Sequence, residues 1–302
     1  EINPIADVID GDDVNVTFTI ENETEITITV IDADGNNVTD GITFTPGEVI
    51  ISGLKAGEYT IIISNAGDEN HTDSFDLEQF KVNKANLTIT PEVSGEFFVD
   101  GKINVTFTLP GDVNASSVFI TVDGVPGSAD SEDGIHWVAE FDNFNAGDHI
   151  VTAFVVNDPN YNNADGSVRF EVNKVDPETS INAPDIVAGN DATITVTVPG
   201  DAKGVVLFDV DGKKQYASIE NGAAVLTLSD LAIGNHTVSY TYAGDEKYLN
   251  GSGEAKFEVS ANDTYKIIAE SGAIQVGDNA TVTVLLPEDA VGIVFVTVND
   301  NR

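Results

Sequence analysis

The chain runs to 302 residues and carries 51 acidic against 13 basic side chains, a formal net charge of −38. Such a surface has no basic patch to neutralise phosphates, which excludes nucleic-acid binding and attraction to anionic membranes. Cysteine and methionine are absent while 41% of residues are hydrophobic, so the chain is no acidic disordered tail and holds together by packing without disulfides.

One alternating stretch recurs four times, beginning at Gly11, Gly101, Gly189 and Gly277. A period of about 88 residues marks a tandem array of one small domain. It predicts units at 1–84, 85–174 and 175–260, and an incomplete fourth at 261–302. In the first unit Val14, Val16, Phe18 and Ile20 alternate with polar residues, the period of a strand with one buried face. Ile26, Ile28 and Val30 form the next strand, and Asp34-Gly35 is read as its hairpin turn. Val49 and Ile51, then a strand over 59–63, a loop over 65–76 and a strand over 77–82 complete the unit.

The second unit repeats the plan with Val105, Phe107 and Leu109, the turn Asp123-Gly124, then Ala139 and Phe141. The third shows Ile194, Val196 and Val198, the turn Asp211-Gly212, and Leu226 and Leu228. The fourth has Val282, Val284 and Leu286, an apolar strand over 293–298, and Asn299-Asp300 at the turn position. About seven short strands per unit, with turns every 8–12 residues, predict an all-β chain of tandem antiparallel sandwiches. Half a sandwich cannot cover its own inner face, so the fourth unit is expected to be poorly stable alone. Its early stop and the missing initiator methionine suggest a piece of a longer protein. Short junctions at 82–87, 172–175 and 259–264 predict an extended, semi-rigid and monomeric rod, each sandwich adding roughly 35–40 Å.

Entering the penultimate strand, Leu54-x-x-Gly57-x-Tyr59, Phe144-x-x-Gly147-x-His149 and Leu231-x-x-Gly234-x-His236 occupy one position. This resembles the tyrosine corner of immunoglobulin-like (Ig-like) domains, with His replacing Tyr in two units, so that an imidazole bond stands in for the hydroxyl tie or the tie is lost. After that strand, loops at 66–71, 157–161 and 243–248 each place an aromatic or His three residues after an Asp. With Val-Gly-Asp-Asn-Ala-Thr-Val-Thr-Val at 276–284, they are similar to the bacterial and archaeal Ig-like repeats of adhesin-like surface proteins, notably those of methanogenic archaea. The resemblance spans the chain. It implies Ig-like sandwiches, an extracellular or cell-surface location, and a stalk or adhesion role that projects a distal binding region. Alternatives are a module whose sandwich-end loops bind a glycan or protein on another cell or surface, with Tyr161 and Tyr248 available for stacking on sugars, and an accessory segment of a surface enzyme.

Asn-X-Ser/Thr sequons occur at Asn15, Asn22, Asn37, Asn70, Asn86, Asn104, Asn114, Asn235, Asn250, Asn262 and Asn279, against roughly four expected by chance. They are glycosylation candidates, although Thr-rich strands also generate the pattern. Asp32, Asp34 and Asn36 open like a Ca²⁺ loop, yet Thr43 stands where an EF-hand needs Glu, and a hairpin turn explains them as well. Asp10 and Asp12 are further Ca²⁺ candidates. The four histidines and the serines form no nucleophile motif, no His/Cys spacing indicates a metal, and no cofactor or enzymatic role is expected. Lys102 is the one lysine placed for an isopeptide cross-link, and no equivalent recurs.

Overall fold

The computed structural model describes residues 1–20, 25–262, 267–286 and 290–298. The chain separates into two compact units, Glu1–Lys174 and Val175–Arg302. Among the described residues three hydrophobic cores form, one built from residues 2–82, one from 89–172 and one from 192–259. The first two lie in the first unit.

Each core sits between two sheets. Around the first, strands Val8–Ile9, Ser74–Asn83, Gly57–Asn65 and Ile26–Asp32 make one layer in that order, and Val14–Thr17, Glu48–Ile51 and Ile42–Thr45 the other. Around the second, Val125–Gly127, Val118–Val122, Gly147–Val155 and Ala164–Val172 face His136–Phe141, Ile103–Thr108 and Glu92–Gly95. Around the third, the layers join into one eight-stranded sheet because Lys213–Glu220 pairs with Val205–Val210 in one and, through Ile219 and Glu220, with Ala223–Leu228 in the other. Among the described residues the pairing is antiparallel except along the incoming segment, which meets the end loop (Ala85 with Tyr161, Val175 with Tyr248) and then the last strand in parallel. Val8 pairs in parallel with Val82, Phe98 with Asn173, and Ile186 with Val259.

The period-2 stripes are the inward faces. Val14, Val16, Ile103, Val105, Ile194 and Val196 are at most 1% exposed, and each buried side chain of this size contributes about 1.5–3 kcal/mol. Trp137 is buried and stacks on Phe107 at 6.3 Å between centroids.

Asp123-Gly124 and Asp211-Gly212 are two-residue turns with both φ angles positive, the twist a tight hairpin needs. Asp34-Gly35 is not their equivalent. In the first sandwich Val30 pairs with Ile61, as Val122 does with Val151 and Val210 with Val238. That register puts Ile31, not Asp34, at the position of Asp123 and Asp211. The chain instead turns through Ala33–Asp34–Gly35, with Gly35 NH bonded to Asp32 O and Gly35 left-handed, a three-residue loop that shifts the Asp-Gly pair by three positions.

Beyond the third core, Ile268–Ser271 pairs with Val282–Leu285. The strand expected over 293–298 is absent apart from a bridge at Val298. Its counterparts in the complete sandwiches pair with the penultimate strand, and no such strand follows among the described residues. Asn299-Asp300 lies outside the described residues.

Candidate functional site

The corner residues are where the three sandwiches differ chemically. Tyr59 OH donates to Lys55 O at 2.8 Å. His149 Nε2 bonds Asn145 O at 2.8 Å, and His236 Nε2 bonds Ala232 O at 2.8 Å. All three reach the carbonyl four residues upstream, so the imidazole replaces the phenol. Each ring lies over the aromatic paired with it on the last strand, Tyr59 on Phe80, His149 on Phe170 and His236 on Phe257, with centroids 5.3–5.6 Å apart.

The histidines use a second bond. His149 Nδ1 meets Asp123 Oδ2 at 2.6 Å, and His236 Nδ1 meets Asp211 Oδ2 at 2.6 Å. The other carboxylate oxygens accept the backbone N–H of Ile150 and Thr237. A carbonyl and an ionised carboxylate only accept, so both ring nitrogens must carry protons and the ring is an imidazolium. Burial opposes that charge at His149, but the bonds to Asp123 and Asn145 O outweigh it and raise the pKa. At His236 the Ala232 carbonyl and then Asp211 raise it. Asp211 is lowered by Thr237 NH and His236; Asp123 is lowered by His149 and Ile150 NH against an opposing burial. Tyr59 needs one acceptor only, which explains why the first sandwich places Ile31 where the others place Asp.

A pH dependence follows. Because both rings have folded-state pKa values above the ordinary 6.5, their stabilisation is complete below 6.5 and fades as pH rises through the raised values. The lowered carboxylates contribute above the usual 3.8 and lose that contribution as pH falls through their folded values. The second and third sandwiches are expected to lose stability as pH rises above 6.5 in thermal unfolding, and Asp123→Asn with Asp211→Asn to flatten the loss. Equal slopes in the variant and the parent would refute the imidazolium assignment.

The second constellation lies at the sandwich ends. Gly67, Asn157 and Gly244 adopt positive φ, and the Asp after each turns its carboxylate back on its own loop. Asp158 Oδ1 accepts from Asn160 NH and Tyr161 NH, and Oδ2 from Asn114 NH at 2.8 Å. Asp245 repeats this with Lys247 NH, Tyr248 NH and Lys203 NH. Asp68 accepts from Asn70 NH and lies 2.8 Å from His71 Nδ1. Tyr161 OH donates to Asp112 at 2.7 Å and Tyr248 OH to Asp201 at 2.6 Å, so these phenols are committed inside the fold.

The lysines on those aspartates come from different places. Asp201 is bonded by Lys247 of its own sandwich at 2.7 Å, which with Tyr248 lowers its pKa to about 2. Asp112 is bonded at 2.6 Å by Lys55, from the preceding sandwich. Lys84 Nζ donates to Asp158 O at 2.5 Å. Between them, Ala85 NH donates to Asn160 O and Asn162 NH to Ala85 O. Sequence reasoning missed these links. The recurring Pro-Gly-Asp at 110–112 and 199–201 was the available signal.

The Ca²⁺ candidates are used otherwise. Asp32 Oδ1 accepts from Asp34 NH and Asn36 NH, and Oδ2 from Asn36 Nδ2, which makes it the brace of the turn. Asp10 lies 4.0 Å from Lys55, and Asp12 NH closes a turn onto Ile9 O. Among the described residues no group of three or more His, Asp or Glu side chains is placed to hold a metal ion. Lys102 pairs with Glu140, both exposed. Ten sequon asparagines are exposed and Asn22 lies outside the described residues. No helix among the described residues is long and apolar enough to cross a membrane.

Residues 179–262 match the bacterial Ig-like domain (group 3) family. No curated protein matches the chain. Solved structures similar to it include a three-domain Ig segment of titin, at 14% identity over 85% of this chain and 94% of that one, with a TM-score of 0.32. The Escherichia coli adhesin FdeC is 16% identical over 86% and 95%, with a TM-score of 0.28. A Bacteroides ovatus mixed-linkage glucan utilization protein, SGBP-B, is 17% identical over 92% and 71%, with a TM-score of 0.23. The chain is all-β and built of Ig-like sandwiches, a class that rests on its own sheets and on the match at 179–262 rather than on these scores.

Proposed function

We propose that the chain is a non-catalytic stalk segment of a large adhesin-like cell-surface protein of the kind found in methanogenic archaea. Its repeats, at 1–84, 85–174, 175–260 and incompletely 261–302, hold a distal binding region away from the envelope. The observation that supports this is the joint inside the first unit. Lys55 and Lys84 of one sandwich are bonded to Asp112 and Asp158 of the next, and Ala85, the residue after Lys84, is held through both its N–H and its carbonyl by the end loop of the second. A spacer works by transmitting position, and such a joint transmits it. The end loops favour this role over recognition, since Asp158, Tyr161, Asp245 and Tyr248 direct their bonds inward. Exposed sequons suit an extracellular, glycosylated surface.

The chain has no cysteine, so Gln79→Cys and Ser167→Cys accept spin labels uniquely. A narrow distance distribution is expected. Lys55→Ala with Lys84→Ala, together worth about 2 kcal/mol, should broaden it. A broad distribution in the parent would overturn the spacer reading.

A further inference from the structure

We propose that the outer face of the sheet carrying the corner strand binds neutral hexopyranose oligosaccharides, with one aromatic platform in each complete sandwich. The evidence is a coincidence of register. Counting five residues on from the corner gives Ser64, Phe154 and Thr241. The cross-strand rows through them read Thr27–Ser64–Phe75, Phe119–Phe154–Asp165 and Tyr216–Leu207–Thr241–Ser252. The same row of the same face therefore displays an aromatic in all three sandwiches. Phe75 is 73% exposed, Phe119 52% and Tyr216 69%.

Single exposed apolar residues are ordinary, and cross-strand aromatic pairs stabilise sheets. That accounts for Phe119 opposite Phe154. It does not account for Phe75, which faces Ser64, or for the repetition on one row. The neighbouring row in the first sandwich is Thr29–Ile62–Leu77 and in the second Thr121–Thr152–Ser167. In a chain of net charge −38, the two rows of the first sandwich hold no charged side chain, and those of the second hold only Asp165; in the third the aromatic row is itself uncharged, while the row beside it carries Lys214, Asp209 and Glu254.

That chemistry selects the occupant. A pyranose ring has an apolar C–H face that lies flat on an aromatic ring, and a rim of hydroxyls that both donate and accept. Ser and Thr hydroxyls match the rim because they also do both, and Asp165 adds an acceptor. Anionic partners, a second copy of this acidic chain included, are repelled. One platform with a few hydroxyls supports a Kd of about 1 mM. This surface goes beyond the spacer role and is independent of it, since a stalk can exist with bare faces.

The test is an NMR titration of the full chain, read at aromatic ¹³C and backbone amide signals, with cellohexaose, laminarihexaose and mannohexaose. At least one sugar should move the ring signals of Phe75, Phe119 and Tyr216 and saturate in the millimolar range. Phe75→Ser, Phe119→Ser and Tyr216→Ser should each abolish the sugar-induced amide shifts of their own row, read at Ser64, Phe154 and Thr241, and leave the other two, with unchanged Tyr59, His149 and His236 ring signals showing that each sandwich is intact. No movement with any of the sugars would overturn the proposal. So would shifts that survive the substitutions, or the same shifts on concentrating the protein without sugar, which would mean self-association.

Discussion

Replacing Asp158 by alanine is expected to destabilise the second sandwich by about 3 kcal/mol. The residue is fully buried, and its carboxylate is the acceptor for Asn114, Asn160 and Tyr161 N–H. Alanine keeps the backbone path but leaves three donors without that acceptor, each costing about 1–3 kcal/mol to the extent that water cannot reach it. The same loop carries the joint to the first sandwich through Asp158 O and Asn160 O, so the loss extends to the coupling between the two. Asp158→Asn keeps one accepting oxygen and should cost about half as much. Asp245, which makes the same bonds but is only partly buried, should cost less on replacement because water can substitute. The readout is built in. Trp137 is the only tryptophan and is buried in the second core, so its fluorescence in a denaturant titration of the full chain reports that sandwich alone. A loss under about 1 kcal/mol would show that the loop does not depend on its carboxylate.

The inward faces were legible because side-chain alternation along a strand is local. Val14, Val16 and Phe18, and their counterparts in the other repeats, need only the period of 2 to be placed in a core. The turns at Asp123-Gly124 and Asp211-Gly212 were legible because few residues tolerate two successive positive φ angles. Asp34-Gly35 carries the same signature and does turn a hairpin, but the pair also serves a three-residue turn, and only cross-strand register distinguishes the two. The corner histidines were found, but their aspartates were read only as turn formers. The partnership joins residues 26 and 25 positions apart and exists only after the strands pair. Lys55 was invisible for another reason. Its counterparts by register are Asn145 and Ala232, and the lysine that does the same work for Asp201 sits in a different loop. A repeat analysis searches for the same residue at the same position, and here a shared charge requirement is met from two places.

Gly166→Ala tests how the incoming segment is seated, and is expected to cost about 3 kcal/mol. Gly166 has ordinary backbone angles, so its role is closeness and not conformational freedom. A Cβ there would lie 1.9 Å from Ile89 O and 2.7 Å from Ile89 C. These are backbone atoms of a buried residue that belongs to the second core, and no rotamer change can relieve the overlap. The segment would have to lift off the last strand and draw Ile89 out of the second core, the sort of core misfit that costs about 1–3 kcal/mol or more. Register gives Asp76 and Gly253 as the equivalents in the other sandwiches. Asp76 seats its incoming segment with a side chain, accepting Ile2 NH at 2.7 Å. At Gly253 the nearest atoms to a Cβ belong to the Tyr240 ring at 2.8 Å, which is more able to give way than a carbonyl, so Gly253→Ala should cost less. If Gly166→Ala leaves the Trp137 transition unmoved, the incoming segment is held by its bonds to the end loop at Ala85 and not by close contact with the last strand.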